Sequence, residues 1–181
     1  ETKSTSDQVA QDSEKGARTD VSNPDLKELT EKDIKDGTYD IEVESDSSMF
    51  NIIKAKLTVK DGKMTAVLTL NGKGYLRLFM GTGEEAVKAD ESKYAEFKIV
   101  DDKYTYEVSV DKLNAPVECT SFSKRKQKWY DHQIVFLADT LPEGAVKKDY
   151  TVVILCAVVG VVLVAGIIIG LGRTKKKKSA R

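Results

Sequence analysis

Apolar and polar residues alternate from Thr38 onward. In TYDIEVE, Tyr39, Ile41 and Val43 are spaced by two and separated by acids, the pattern of a strand with one buried face. AKLTV and MTAVLTL repeat it on either side of Lys60-Asp61-Gly62-Lys63, whose Asp-Gly pair suits a tight hairpin turn. YLRLFM, YAEFKIV, YTYEVSV, PVECTSF and KWYDHQIVF add further strands, with turns at Asp101-Asp102-Lys103 and from Ser123 to Gln127. EEAVKADESK, following Gly81 and Gly83, predicts one short helix. About eight short strands with regularly spaced turns predict an all-β domain, an antiparallel β-sandwich over residues 36–137.

The alternation gives way at Thr151. Residues 151–172 read TVVILCAVVGVVLVAGIIIGLG, without one charge. At about 1.5 Å per residue, a helix of this length covers the roughly 30 Å hydrocarbon core of a bilayer. A buried helix of a globular domain seldom stays apolar on every face for so long. Arg173, Lys175 to Lys178 and Arg181 follow directly, and basic residues at one end of a span are retained in the cytoplasm. The expected topology is therefore a single-pass protein of the cell membrane, N-terminus outside, with a transmembrane helix at 151–172 and a basic cytoplasmic tail at 173–181.

The flanks of the strand region carry little apolar weight. Residues 1–22, ETKSTSDQVAQDSEKGARTDVS, are polar and are expected to form a flexible tether. Asn23-Pro24 reads as a cap and first turn, so a short helix over LKELTEKDI is expected within the lead-in 1–35. On the other side, residues 138–150 bear proline and glycine and read as a stalk towards the membrane.

Charge narrows the partners. Six of the 29 basic residues lie in the tail, which leaves 23 against 29 acids in the first 172 residues, a balance of −6. An acidic ectodomain disfavours nucleic acid. Cys119 and Cys156 fall in the ectodomain and the apolar segment respectively, so a disulfide staple is not expected, nor a C-x-x-C metal or redox site. Gly81-Thr82-Gly83-Glu84-Glu85-Ala86 has the G-x-G-x-x-A spacing, but no βαβ unit surrounds it, and it reads as a turn. No nucleophile, base and orienting group fall into a catalytic arrangement, and the expectation is that the protein is not an enzyme.

Three stretches in this order resemble the NEAT domain, the Ig-like sandwich with which Gram-positive bacteria handle haem at their surface. DGTYDIEVE resembles its first strand. SSMFNIIKAKLTVKDGKMTAVLTL resembles its serine-bearing lip and the hairpin that follows. VDKLNAPVECTSF with KWYDHQIVF resembles its closing hairpin, which in the family carries Y-x-x-x-Y. The resemblance covers about residues 36–137 and implies an Ig-like antiparallel fold. It also implies that the first tyrosine of the motif, here Tyr130, supplies the axial oxygen to haem iron, while a second tyrosine hydrogen-bonds it and favours the phenolate. Position 134 is Ile, so that support is missing. His132, on the same strand face, stands in as an assisting or rival ligand. Ser48 matches the lip serine that contacts a propionate, and Met49 falls beside the pocket.

Each residue has a plainer role. Tyr130, Ile134 and Phe136 also make a core stripe, His132 an edge histidine with a satisfied ring, and Met49 a gap filler. Lys124, Arg125, Lys126 and Lys128 either grip acidic groups or decorate a solvated hairpin. The reading carried forward is a membrane-anchored haem-binding module that captures or relays haem for iron acquisition. Its expected partners are haem or a haem-carrying protein and a neighbouring membrane transporter. The alternative is a non-catalytic module that binds a protein through the same scaffold.

Overall fold

The structure is a computed structural model that describes residue 5 and residues 8–147. The apolar segment 151–172 and the tail 173–181 lie outside the described residues. Within those residues no helix is long and apolar enough to cross a membrane.

Nine antiparallel strands follow one another along the chain: β1 (Gly37–Ser45), β2 (Ile52–Lys60), β3 (Lys63–Leu70), β4 (Tyr75–Met80), β5 (Ala95–Glu96), β6 (Lys98–Val100), β7 (Lys103–Val110), β8 (Val117–Ser123) and β9 (Trp129–Leu137). They join in one sheet of order β5-β4-β8-β9-β1-β2-β3-β7-β6. The expected sandwich of two sheets is thus a single sheet folded on itself. The fold runs through β1, whose first half pairs with β2 up to Ile41↔Ala55 and whose second half pairs with β9 from Glu42↔Leu137. A strand that changes partners midway turns the corner that two separate sheets would lack.

The opposite seam comes from a segment that reads as one strand, YAEFKIV. It breaks at Phe97: Ala95–Glu96 pairs with β4, and Lys98–Val100 pairs with β7. The two edges of the sheet are therefore consecutive in the chain, and the sheet is nearly closed. Phe97 stacks on Tyr104 with ring centroids 4.0 Å apart, which holds the crossing point.

Turn chemistry agrees with the sequence. Asp61 (φ 51) and Gly62 (φ 71) both occupy the left-handed region, as a two-residue hairpin that matches strand twist requires. Asp101 (φ 48) and Asp102 (φ 59) do the same without glycine. The alternating faces bury Leu57, Leu68, Ile134 and Phe136 completely, each worth about 1.5–3 kcal/mol of transfer free energy. A second cluster lies on the other face of β8 and β9, where Trp129, Phe122 and Tyr94 pack with Ala86 and Val87. The last two belong to helix α1 (Gly83–Lys88). Thr82 caps α1: its Oγ1 accepts from Glu85 N, and the Glu85 carboxylate accepts from Thr82 N at 2.8 Å. The G-x-G-x-x-A stretch is that turn and cap.

Both flanks differ from expectation. LKELTEKDI forms no α-helix; Leu29 bridges Leu113, a 3-10 turn spans Glu31–Asp33, and Ile34 bridges Val146. Packing continues through 138–147, where Ala138, Leu141 and Ala145 are buried in the main core. Lys35 N donates to Ala145 O (2.9 Å) and Lys147 N to Asp33 O (2.7 Å). The two flanks pair because Ile34, Leu141 and Ala145, too sparse to mark a strand by periodicity, together cover one end of the core. Residues 8–22 also lie against the domain, across the first residues of β9.

Candidate functional site

The inward face of β9 presents Phe136, Ile134, His132 and Tyr130 in steps of two. The first two lie in the core; His132 is 4% exposed, and Tyr130 is half-buried at the rim. On β8, Ser121 sits directly opposite Tyr130, and its Oγ is 2.8 Å from His132 Nε2. Phe50 lies flat on the imidazole, with centroids 4.3 Å apart and planes 7° from parallel. Tyr75, the first residue of β4, meets Phe50 edge-on at 5.6 Å and His132 at 6.3 Å.

The loop between β1 and β2 forms a lip over this group. Ser45 Oγ accepts from Ser47 N (3.2 Å) and donates to Ser47 O (3.3 Å), while Phe50 N donates to Ser47 O (3.1 Å). That tight turn sends Phe50 into the core and leaves Met49 65% exposed. Tyr75 Oη donates to Met49 O at 3.3 Å and ties the lip to β4. Between lip and β9 is a notch lined by Ser47, Met49, Tyr75, Tyr130 and His132, and by Lys15, Gly16 and Arg18 of the lead-in segment.

Burial sets the protonation of these groups. His132 is pushed down to about 3, first by loss of solvent, then by the Arg18 cation, with Asp131 opposing. The imidazole is therefore neutral near pH 7. Its Nε2 is engaged by Ser121, and its Nδ1, buried, has no hydrogen-bond partner. Burial also raises the Tyr75 phenol, partly offset by a hydrogen bond with Ser121.

Of the residues singled out in the sequence, Met49, Tyr130 and His132 meet at this notch although Met49 lies about eighty positions before the other two. Ser48 is exposed and does not line it; its neighbour Ser47 does. Ile134 is fully buried in the core and stands away from the rim. Lys124, Arg125 and Lys126 are exposed at the β8–β9 turn, and Lys128 pairs with Glu14 at 2.7 Å. Phe50, Tyr75 and Ser121 carry no local signal of their role, because only sheet pairing and the lip turn bring them to the histidine.

The donor set suits a ferric porphyrin: a phenol at the rim, a neutral imidazole with one unpartnered nitrogen, a thioether and the ring of Tyr75. The space does not, with the lead-in segment where it lies. Free volume in the notch is about 20 Å³, little more than one water molecule.

No family model matches the chain, and no curated protein matches it. Among solved structures the chain is similar to the NEAT5 domain of IsdX2, a B. anthracis hemophore in complex with heme. The two are 24% identical, the match covers 56% of this chain and 96% of that one, and the TM-score is 0.41.

Proposed function

We propose that this is a non-catalytic, NEAT-like haem-binding module, displayed outside the cell and held in the membrane by residues 151–172. The observation that carries the reading is the meeting of Tyr130, His132 and Met49 at one notch under the lip. A haem site needs an oxygen or nitrogen donor at the edge of a slot; Tyr130 and His132 supply the donors here, while the space with residues 15–18 across it is only about 20 Å³. Tyr130 is the donor at the rim; His132, fixed by Ser121 and Phe50, backs it; Ser47 and Met49 form the opposing wall. Bound ferric haem would contribute a Lewis-acidic iron that takes an anionic oxygen ligand. Relay to a neighbouring transporter is part of this proposal, and a site at the rim is compatible with it.

Hemin titration of the full chain tests this. A Soret shift that saturates at one equivalent is expected, with affinity falling at least about tenfold in Tyr130→Phe, the loss of one strong interaction. Unchanged binding in that variant refutes the tyrosine assignment, and no binding by the parent at low salt or at about 0.5 M salt refutes the porphyrin reading.

A protein partner is the second reading. It is favoured by the rim of β9, which already accepts an extended segment of polypeptide, and by the exposed basic turn at Lys124–Lys126. For the anchor, the reading is supported by the apolar run and basic tail. Leu141-Pro142-Glu143-Gly144-Ala145 resembles a sortase signal without the threonine, and Leu141 and Ala145 are buried. Retention in the membrane fraction after wall digestion is expected; release with loss of the tail would count against it.

A further inference from the structure

β9 is longer than the partner beside it. Its pairing with β1 covers only Ile134 to Leu137, and Asp46 N adds one bond to Gln133 O at 2.9 Å. Beyond that point the edge of β9 that β1 leaves open is taken by residues 8–19. Val9 forms a parallel bridge with Trp129, and Ala10 N donates to Trp129 O at 2.9 Å. Arg18 Nη2 donates to Asp131 O at 2.6 Å, and Thr19 N to Asp46 O at 2.8 Å. The carbonyls of residues 129, 131 and 133 are thus each capped, the first two by the lead-in segment.

The same segment crosses the notch. Lys15 pairs with Asp131 at 3.3 Å, Arg18 Nε with Asp46 Oδ2 at 3.0 Å, and Glu14 with Lys128 at 2.7 Å. Gly16 lies so close to Met49 that a Cβ there would stand 3.1 Å from the methionine Cε. Apolar anchoring is confined to the ends: Val9 packs on the second cluster, Ala10 and Val21 are buried, and between the last two the sequence is QDSEKGARTD. Lys15–Asp131 and Glu14–Lys128 are partly exposed pairs and individually weak, whereas Arg18 meets an Asp46 that is almost wholly buried and holds the segment more firmly. A segment held by a few such pairs and edge hydrogen bonds opens far more readily than the sheet beneath it.

We propose that residues 8–19 are a releasable strap that closes the notch of Tyr130 and His132, so that strap docking and ligand entry exclude one another. This rests on the notch being a ligand site, as proposed above. It accounts for a donor set suited to a large flat ligand in a space of about 20 Å³. Because three of the holding contacts are ion pairs, two of them partly exposed, salt and a competing partner for the strap both favour opening of the site.

The test uses the full chain and its double variant Lys15→Glu/Arg18→Glu, which sets like charges against Asp131 and Asp46. His132 is the chain's single histidine, so its acylation by diethyl pyrocarbonate reports access to the notch without any ligand. Acylation of His132 is expected to be at least about tenfold faster in the variant, which loses one partly exposed ion pair and one to a buried carboxylate. Amide exchange of residues 8–19 should rise in parallel, while β3 and β7 stay protected. In the unaltered chain, raising salt from about 0.05 to 0.5 M should accelerate acylation, which keeps the test valid if the variant folds poorly. Hemin association should accelerate by the same factor. Exchange of residues 8–19 at free-peptide rates in the parent overturns the strap. Equal acylation in parent and variant, with no effect of salt, overturns the closure. Faster acylation with no hemin binding to either form upholds the strap and removes the porphyrin reading.

Discussion

The ring of Phe50 lies on the ring of His132, 4.3 Å away and 7° from parallel, and closes the side of the imidazole that Ser121 does not hold. The histidine is thereby kept neutral, its folded pKa pushed down to about 3 from an ordinary value of 6.5, chiefly by burial. The unfolded chain takes up a proton below pH 6.5 and the folded chain does not. Stability from this group is thus full above pH 6.5 and is lost as pH falls towards 3. Between pH 6.5 and 5, above the range of the exposed carboxylates, unfolding free energy should drop by about 2 kcal/mol. His132→Gln retains a partner for Ser121 and cannot titrate; its denaturant midpoint should be nearly flat over that interval. An equal slope in both chains would assign the pH dependence elsewhere.

The lip makes a distinction between adjacent serines. Ser47 lines the notch and Ser48 faces solvent. Ser47→Ala should therefore weaken hemin binding by a few-fold, the worth of about one hydrogen bond, and Ser48→Ala should leave it unchanged. The reverse order in paired titrations would mean that the lip turns over on binding.

Restoring the motif tyrosine at position 134 should not help. Ile134 has no exposure and sits in the main core beside β1 and β8. Ile134→Tyr overpacks that site and buries a hydroxyl, so a loss of about 1–3 kcal/mol in denaturant unfolding is expected, without gain in hemin affinity. A stable variant that binds hemin more tightly would show that residue 134 reaches the rim.

The flanks contribute to the fold. A chain cut to residues 36–137 lacks Ile34, Leu141 and Ala145, all buried in the core. Loss of one large buried aliphatic side chain costs about 2–5 kcal/mol. The shorter chain should melt well below one that spans residues 20–147, and Ile34→Ala in the longer chain should reproduce part of the loss. Equal melting temperatures would make these contacts energetically idle.

Cys119 lies opposite His132 in the sheet, has no exposure, and has its thiol pushed up to about 12, mainly by burial. Thiolate is scarce and access is closed, so alkylation at pH 8 should be slow until denaturant unfolds the domain. Rapid labelling of native protein at residue 119 would reveal an opening of β8 from β9.

Much of this protein is written locally. Alternation by two in TYDIEVE and MTAVLTL, the Asp-Gly turn, the cap Thr82–Glu85 and the uncharged run 151–172 are each contained in a few neighbouring residues, and the sequence alone determines them. So is the face shared by Tyr130 and His132, since a strand repeats every two residues. What only the tertiary structure decided depends on partners distant in the chain. β1 reads as one strand, yet its pairing changes after Ile41 because β9 competes for its second half. YAEFKIV reads as one strand, yet Phe97 divides it between two edges. Ser47 rather than Ser48 meets the notch because the Ser45 hydroxyl sets the turn. Residues 8–19 have a composition that orders nothing by itself. They take up structure on the open edge of β9, whose unpaired carbonyls and nearby Asp46 and Asp131 supply the hydrogen bonds and charges that the segment lacks.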